Sequence, residues 1–459
     1  MASETTTTAL IDEALKVIFA KSIHDDIVVD HELMDIFKAE MNVKSDETTG
    51  GRWIEQGHFW QYPAGFGWRQ DNEYIPEAVS AKFKNSRLYL RKGQGVLEMS
   101  GDTMRKVRTD EGAFLDYMEK AKPALIEGVN NELDLAYLGT GSGIKAEVAS
   151  KDGGGSTAGT YKLGVKHHSG IPGYTEAWLA FLEGQNIIFG SNATFHTIRA
   201  GAPGRYATVV GIVEDRNQII VKCDATLYSN ITAGDCIAEG DGAGYSAMDR
   251  DGNPRVMAGL LAGDDNGEIV EVYNNIDRMA DDARLWRSHV IDAQAESGGA
   301  LSEDLLDLAF RRAVVRGNAK ITHIVMSHSA STMYWRGLRD GVNAQGQQRF
   351  VNVEGNFTSG KGKLGIRVGA EVYPVRVCRK LPPEVVFGLQ ADRWARLTLG
   401  ALTWEEETGS MWNRVVDSTG RKDAYYSTFH LYEQLYCIAP QKQFRIDGLN
   451  PAEHPAHAS

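Results

Sequence analysis

Leu135–Val148 reads LAYLGTGSGIKAEV, and whether its glycines cradle a ligand or end a helix decides how the chain folds. Composition points to a phosphate loop: Gly139, Gly141 and Gly143 alternate with Thr140 and Ser142, and Lys145 follows. Such a loop needs a strand before it and a helix after it, so that backbone N–H groups and the helix N-terminus converge on the anion. Here the order is reversed. Ile144 separates Gly143 from Lys145, and Ala146 follows the lysine, so the phosphate-contacting amine and the magnesium-binding hydroxyl are both misplaced. The dinucleotide fingerprint fails for the same reason. The glycines read as a helix stop.

The helix they stop begins near Thr109. Phe114, Met118, Ala121, Leu125, Val129 and Leu133 advance by threes and fours and draw one apolar stripe, with Thr109 or Asp110 as N-cap. The span from Thr109 to Tyr137 predicts a helix of roughly 40 Å at about 1.5 Å per residue. Pro123 inside it removes one donor and predicts a kink.

Upstream, residues 8–42 show helical spacing (Leu10, Ala14, Ile18, then Leu33, Ile36, Phe37) interrupted by the polar His24–Asp26, which predicts an arm with one or two helices. From Gly50 the chain turns rich in aromatics and glycine. GGRWIEQGHFWQYPAGFGW and the later KFKNSRLYLRKGQGVLEM predict two extended strands joined by an irregular tip near residues 67–83. A two-stranded ribbon is marginal alone, so this one is expected to reach a neighbouring subunit.

Downstream, residues 150–175 read as loops or a hairpin, and TVVGIVEDRNQIIVKC and ITAGDCIAEGD as strands with turns at 215–217 and 233–235. Ser302 caps an amphipathic helix over Leu305, Leu308, Ala309, Arg312 and Val315 that Gly317 ends, and ITHIVMS (321–327) predicts a buried strand leading into a helix over Ser329–Leu338. Residues 340–365 read as a loop. VYPVRVC, VVFGLQ, RLTLGALTW and STFHLYEQLYCIAPQKQFRI predict further strands, with a helix as the open alternative over 425–436, and the tail NPAEHPAHAS reads as disordered. No fixed-period repeat is visible.

The bulk properties bound the function. A chain of 459 residues, 42% apolar and 24% charged, predicts two or more compact units of an ordinary globular protein. No apolar run approaches the ~18 residues of a membrane span, and the N-terminus lacks a secretory pattern. Cys223, Cys236, Cys378 and Cys437 are scattered, which fits neither a disulfide framework nor a zinc site and suits a reducing cytosol. The net charge of −12 gives no footprint for tight nucleic-acid binding.

Chemistry-bearing clusters are weak. His24, Asp25, Asp26, Asp30 and His31 carry ligand types for a divalent cation, but a solvated arm is the favoured reading. DRDGN (249–253) and GDDNGE (263–268) lack the alternating ligand spacing of a calcium loop and read as hairpin turns. His167 and His168 read as exposed, and no G-x-S-x-G elbow exists. No catalytic, cofactor-binding or metal-ligating residue is assigned.

The order of segments is more telling than any one of them. An arm, a two-stranded excursion, the phrase IPEAVSAKF, a return strand, and then GDTMRKVRTDEGAFLDYMEKAKPALIEGVNNELDLAYLGTGSG resemble the major capsid proteins of tailed bacteriophages, the Hong Kong 97-like shell fold. The similarity continues through SHSASTMYWRGLRD, GAEVYPVRVC, FGLQADRWARLTLG and RKDAYYSTFHLYEQLYCIAPQKQFRIDG. The resemblance implies an α+β fold with this division: N-terminal arm 1–50; E-loop strand pair and flanks 51–108; P domain with long spine helix 109–175; A domain 176–392; returning P-domain strands 393–428; last strands returning to the A domain 429–450; and a disordered tail 451–459.

It implies a non-enzymatic virion protein that assembles into hexamers and pentamers of an icosahedral capsid, enclosing double-stranded DNA without sequence-specific binding, with no membrane and no cofactor. Assembly in the host cytoplasm, a separate scaffolding protein, a portal, and decoration or cement proteins belong to the same implication. The aromatics Trp53, Phe59, Trp60, Phe66, Trp68 and Tyr74 are then expected as inter-subunit anchors. Lys82, Lys84 and Asn413 are further contact candidates, although their spacing does not match that of relatives that crosslink covalently, and no crosslink is expected. The alternatives are an encapsulin-type cellular compartment of the same fold and, from another class, a soluble metal-dependent enzyme.

Overall fold

In the computed structural model of the chain, the residues described are 127–154, 159–167, 176–191, 206–240, 255–340, 365–368, 371–398 and 420–450, with 53–61, 80–101 and shorter stretches at 33, 36–37, 40–42, 68, 71, 74, 198–199, 403–405 and 413–417. The helices expected in the arm, the cluster His24–His31, Pro123 and the tail lie outside them. Strands and helices are numbered along the chain within them.

Gly420–Cys437 (β21) is a single strand of 18 residues. It pairs antiparallel with β4 (Arg91–Ser100), β18 (Trp394–Thr398), β19 (Thr403–Trp404) and β20 (Asn413–Asp417), while β1 (Glu40–Asn42) runs parallel to β18. From Ser427 to Cys437 every residue except Tyr432 is buried, so both faces of the strand are covered. That explains why the segment lacks polar alternation and left a helix open over 425–436. The helix alternative is incorrect: Thr428, Phe429, Tyr432 and Tyr436 are residue types that fit a pleated surface. The boundary expected between 428 and 429 falls inside this strand.

Residues 127–138 form the described part of a helix (α1) that stops at Gly139. Its buried positions are Asn130, Asp134, Tyr137 and Leu138, one step round from the expected stripe. The reason is that α1 is wedged between two cores. Leu133 and Ala136 lean on the main one, and Leu135 leans on a second.

That second core belongs to a closed barrel built from β5 (Ile144–Gly154), β6 (Thr160–Lys166), β7 (Asn186–Gly190), β8 (Ala207–Val213), β9 (Gln218–Lys222) and β10 (Cys236–Glu239), in the order β10-β5-β6-β9-β8-β7. Val148, Leu163, Ile187, Phe189, Val209 and Ile219 fill it. A short helix, α2 (Ala225–Asn230), starts on an Asp224 cap, and Lys151 Nζ donates to the carbonyls of Tyr228, Ser229 and Ile231 at 2.7, 3.3 and 2.9 Å, satisfying its open C-terminal end. The barrel spans the boundary expected between 175 and 176. Its closure depends on β10 pairing with both β5 and β7, which no local pattern announces.

A third core lies under a six-stranded sheet, β13 (His289–Asp292), β22 (Phe444–Asp447), β17 (Val386–Leu389), β14 (His323–Met326), β16 (Glu371–Val377) and β15 (Gly365–Val368), in that order. After α3 (Leu260–Gly263) and α4 (Ala293–Ser297) comes α5 (Glu303–Gly317), where Ser302 Oγ accepts from Leu305 N at 3.2 Å and Asn318 takes the left-handed conformation. Gly317 is needed for contact rather than conformation: a Cβ there would stand 1.9 Å from the Gln441 carbonyl oxygen. The strand ends in α6 (His328–Asp340), close to the expected register.

GDDNGE is not an exposed hairpin turn. Asp264 and Asp265 have no exposure. Asp265 Oδ2 accepts from the backbone N–H groups of Gly267, Ile269 and Val270 at 2.9, 3.2 and 2.9 Å, and its other oxygen accepts from Arg445 at 3.1 Å. Buried Arg278 donates to the carbonyls of Ala262, Gly263 and Trp286 at 2.7, 3.0 and 3.1 Å. Asp265 is buried together with the arginines that neutralise it, Arg278 and Arg445, whereas burial pushes the Asp264 carboxyl up toward its neutral form.

Candidate subunit-contact surface

The excursion is β2 (Ile54–Gln61) paired antiparallel with β3 (Lys82–Leu88), a two-stranded sheet that among the described residues shares no ladder with another strand. Its root is fastened on two sides. Inside, His58 Nε2 lies 2.8 Å from Ser86 Oγ and also hydrogen-bonds the Tyr436 hydroxyl, and its ring packs 4.6 Å from that of Trp286. Burial lowers the His58 pKa to about 4. Ser86 and His58 stand at nucleophile–base distance, but Ser86 is fully buried, so the pair is a structural bond without substrate access.

On the outside, Trp60 Nε1 donates to Asp282 Oδ2 at 3.1 Å, Lys84 Nζ donates to Asp282 Oδ1 at 2.9 Å, and Lys84 lies 4.1 Å over the Trp60 ring. The Lys84 hydrogen bond holds the Asp282 carboxyl below its ordinary value. Arg87 N donates to Asn274 O at 3.0 Å and ties β3 to the hairpin β11–β12 (Val272–Tyr273, Ile276–Asp277).

The expected contact residues therefore divide. Trp68 and Tyr74, at the tip, are 91% and 95% exposed, and Lys82 is exposed nearby. Trp53 is half-buried, with Arg87 5.1 Å over its ring. Trp60 is buried in the main core, Lys84 is engaged by Asp282, and Asn413 is buried at the start of β20. Trp60 and Lys84 stand near the ribbon's root and pack onto the body that carries it, while Asn413 pairs with Tyr426 in the sheet of β21. Phe66 and the Phe59 side chain lie outside what is described. Phe83, Tyr89 and Val96, not expected as contacts, are exposed on β3, β4 and the link between them, and the position of Phe83 between Lys82 and Lys84 was a usable signal.

The glycine turn beyond α1 lines a cleft with Leu179, Val256 and Pro382. Gly141 and Gly143 have φ of 81° and 75°, which L side chains rarely adopt. Ser142 N and Ile144 N donate to Thr140 Oγ1 and Ser142 Oγ at 3.4 and 3.3 Å, so the loop spends these donors on itself and is a turn rather than a phosphate cradle. Lys145 Nζ is 2.6 Å from Glu132, and Lys380, lowered to about 8 by burial, donates to Asn131 O at 3.0 Å. His167 is half-buried at this cleft rather than exposed. Among the described residues no group of three His, Cys, Asp or Glu side chains is placed to hold a metal, and the four cysteines are free thiols.

No protein-family model matches the chain, and no curated protein matches it. Among solved structures it is similar to the capsid asymmetric unit of cyanophage A-1(L), with 11% identity and a TM-score of 0.43 over 91% of this chain and 93% of that one. It is also similar to the capsid of a native GTA particle, with 10% identity and a TM-score of 0.41 over 91% and 90%. A structure from Gordonia phage Cozz gives 7% identity and a TM-score of 0.40 over 91% and 86%.

Proposed function

We propose that the chain is the shell subunit of a tailed bacteriophage, a major capsid protein that self-assembles into pentamers and hexamers of an icosahedral capsid around double-stranded DNA. The observation that carries this is the excursion. Its root is locked to its own subunit by His58, Trp60 and Lys84, while Trp68 and Tyr74 at its tip are left in solvent. A rigid lever with an uncovered aromatic end is built to lie on something else, and symmetric repetition of one such contact closes a shell. Contacts of this kind in stable assemblies bury on the order of 1,000–2,000 Å².

In this reading the excursion is the E-loop, α1 is the end of the spine helix of the P domain, and the β13–β22 sheet with α5 and α6 forms the A domain. The barrel over 144–239 is an insertion between them. The role is structural rather than enzymatic. The protein resides in the virion after assembly in the host cytoplasm, with a scaffolding protein, a portal and decoration proteins as partners. No described helix is long and apolar enough to cross a membrane. With Lys84 held by Asp282 and Asn413 buried, we expect no covalent crosslink, so denaturing electrophoresis of assembled particles gives a single monomer band.

Sedimentation of the purified chain tests the proposal. Assembly gives species far larger than the 50.4 kDa monomer, and a stable monomer at micromolar concentration sinks it.

A further inference from the structure

The outward face of α5 carries residues that its own subunit does not explain. Val315 is 76% exposed and Val314 close to half, with Arg311 and Arg316 exposed beside them. An acidic first turn and a basic last turn suit the helix dipole, but the dipole accounts for neither the valines nor the cations that other segments bring to the same end. Those cations are Lys320, Arg393 and Lys442. Lys320 N is bonded to Gln390 Oε1 at 3.0 Å, and Gly317 abuts Gln441. Burial, together with the neighbouring Arg393 and Lys320 charges, holds Lys442 below its ordinary pKa. Asp307, exposed one turn before Arg311, Glu296, which is 2.7 Å from Arg312, and Asp392 offset only part of this charge.

The opposite pattern lies on the β11–β12 segment. Glu268, Glu271, Asp277 and Asp281 are exposed there, and Val272 and Met279 are each more than half exposed among them. Arg278 is turned inward, Arg287 donates to the carbonyls of Arg278 and Ala280, and exposed Arg284 offsets only one of those four acidic charges.

We propose that these two faces bind each other between copies: the acidic β11–β12 segment of one copy seats on the basic edge of α5 in the next. Each face has an apolar pair inside a charged rim, and the rims are opposite in sign, which is the anatomy of a protein interface. A nucleic-acid backbone would use the arginines but leave Val314 and Val315 in water. On a chain of net charge −12 a basic edge is the exception, so charge singles out where a second copy can settle. The inference rests on the shell reading in requiring many copies, and contacts between unlike faces are those that close rings.

Charge reversal tests it. Arg311→Glu with Arg316→Glu, and separately Glu271→Arg with Asp277→Arg, should each raise the concentration needed for assembly about tenfold or more at low salt, while far-ultraviolet circular dichroism stays that of the parent. One chain carrying both reversals should recover most of the loss. A second measurement does not depend on particle formation: under oxidation, Val315→Cys chains mixed with Val272→Cys chains should give the mixed disulfide in preference to either homodimer. Parent-like assembly of both single-face variants, or no recovery in the double, overturns the contact and leaves the shell reading intact. A parent that never exceeds monomer overturns both.

Discussion

Trp60 and Asp282, 222 residues apart in the chain, are joined by a 3.1 Å hydrogen bond from the indole Nε1 to Oδ2. Lys84 takes the same carboxylate at 2.9 Å, so one acidic residue of the body gathers both strands of the excursion. Asp282→Ala should leave global unfolding nearly unchanged, because the pair is exposed, but loosen the root. Amide exchange in residues 54–61 and 82–88 should speed up several-fold. Unaltered protection there would show that the clamp does not hold the lever. Because the Asp282 pKa is depressed, the clamp is complete above the ordinary carboxylate value and is lost as pH falls through the lower folded one.

Two buried groups should give opposing pH dependences. His58 stays neutral in the fold down to about 4, whereas an unfolded imidazole protonates near 6.5, so its contribution to stability falls as pH drops between those values. Burial raises the Asp264 pKa to about 7 from 3.8, so its contribution falls as pH rises between those values. Between about pH 4 and 6.5 the two slopes oppose each other. Asp264→Asn should leave stability rising with pH in that window, and His58→Gln should leave it falling, each slope approaching ~1 kcal/mol per pH unit. Denaturant unfolding at three pH values checks this, and identical slopes in parent and variants would contradict it.

Gly259 lies where a Cβ would come 2.3 Å from the carbonyl oxygen of Tyr137 and 2.4 Å from that of Ala136. Both are backbone atoms at the end of α1 and cannot step aside cheaply. Gly259→Ala should cost about 3 kcal/mol, read as a lower denaturation midpoint at unchanged m. A change under ~0.5 kcal/mol would mean that the turn adapts.

Trp68 and Tyr74 contribute little to their own subunit if their task is to contact another. Replacing both with alanine should shift unfolding by less than ~0.5 kcal/mol yet weaken assembly by ~2 kcal/mol or more, the signature of an interface anchor. Parent-like assembly would remove them from the contact.

What was legible in the sequence is what local chemistry dictates. Ser302, the spacing of Leu305 and Ala309, and the stop at Gly317 and Asn318 settle α5 within their own stretch, and the β-branched run ITHIVMS does the same for β14. The burial of Asp265 was not legible, because Arg445, which neutralises it, lies 180 residues away. The barrel was missed for a related reason: closure requires β10 to find β5 and β7 across the chain. Aromatic content alone did not separate Trp60, which packs inward, from Trp68, which faces solvent.

Whether the chain builds a shell is decided by electron microscopy of the purified protein at micromolar concentration. Closed particles of icosahedral symmetry, or rings of five and six subunits, are expected, with the 54–88 ribbon of each copy lying across its neighbour. A homogeneous field of single subunits of 50.4 kDa, unchanged by concentration or salt, would contradict it.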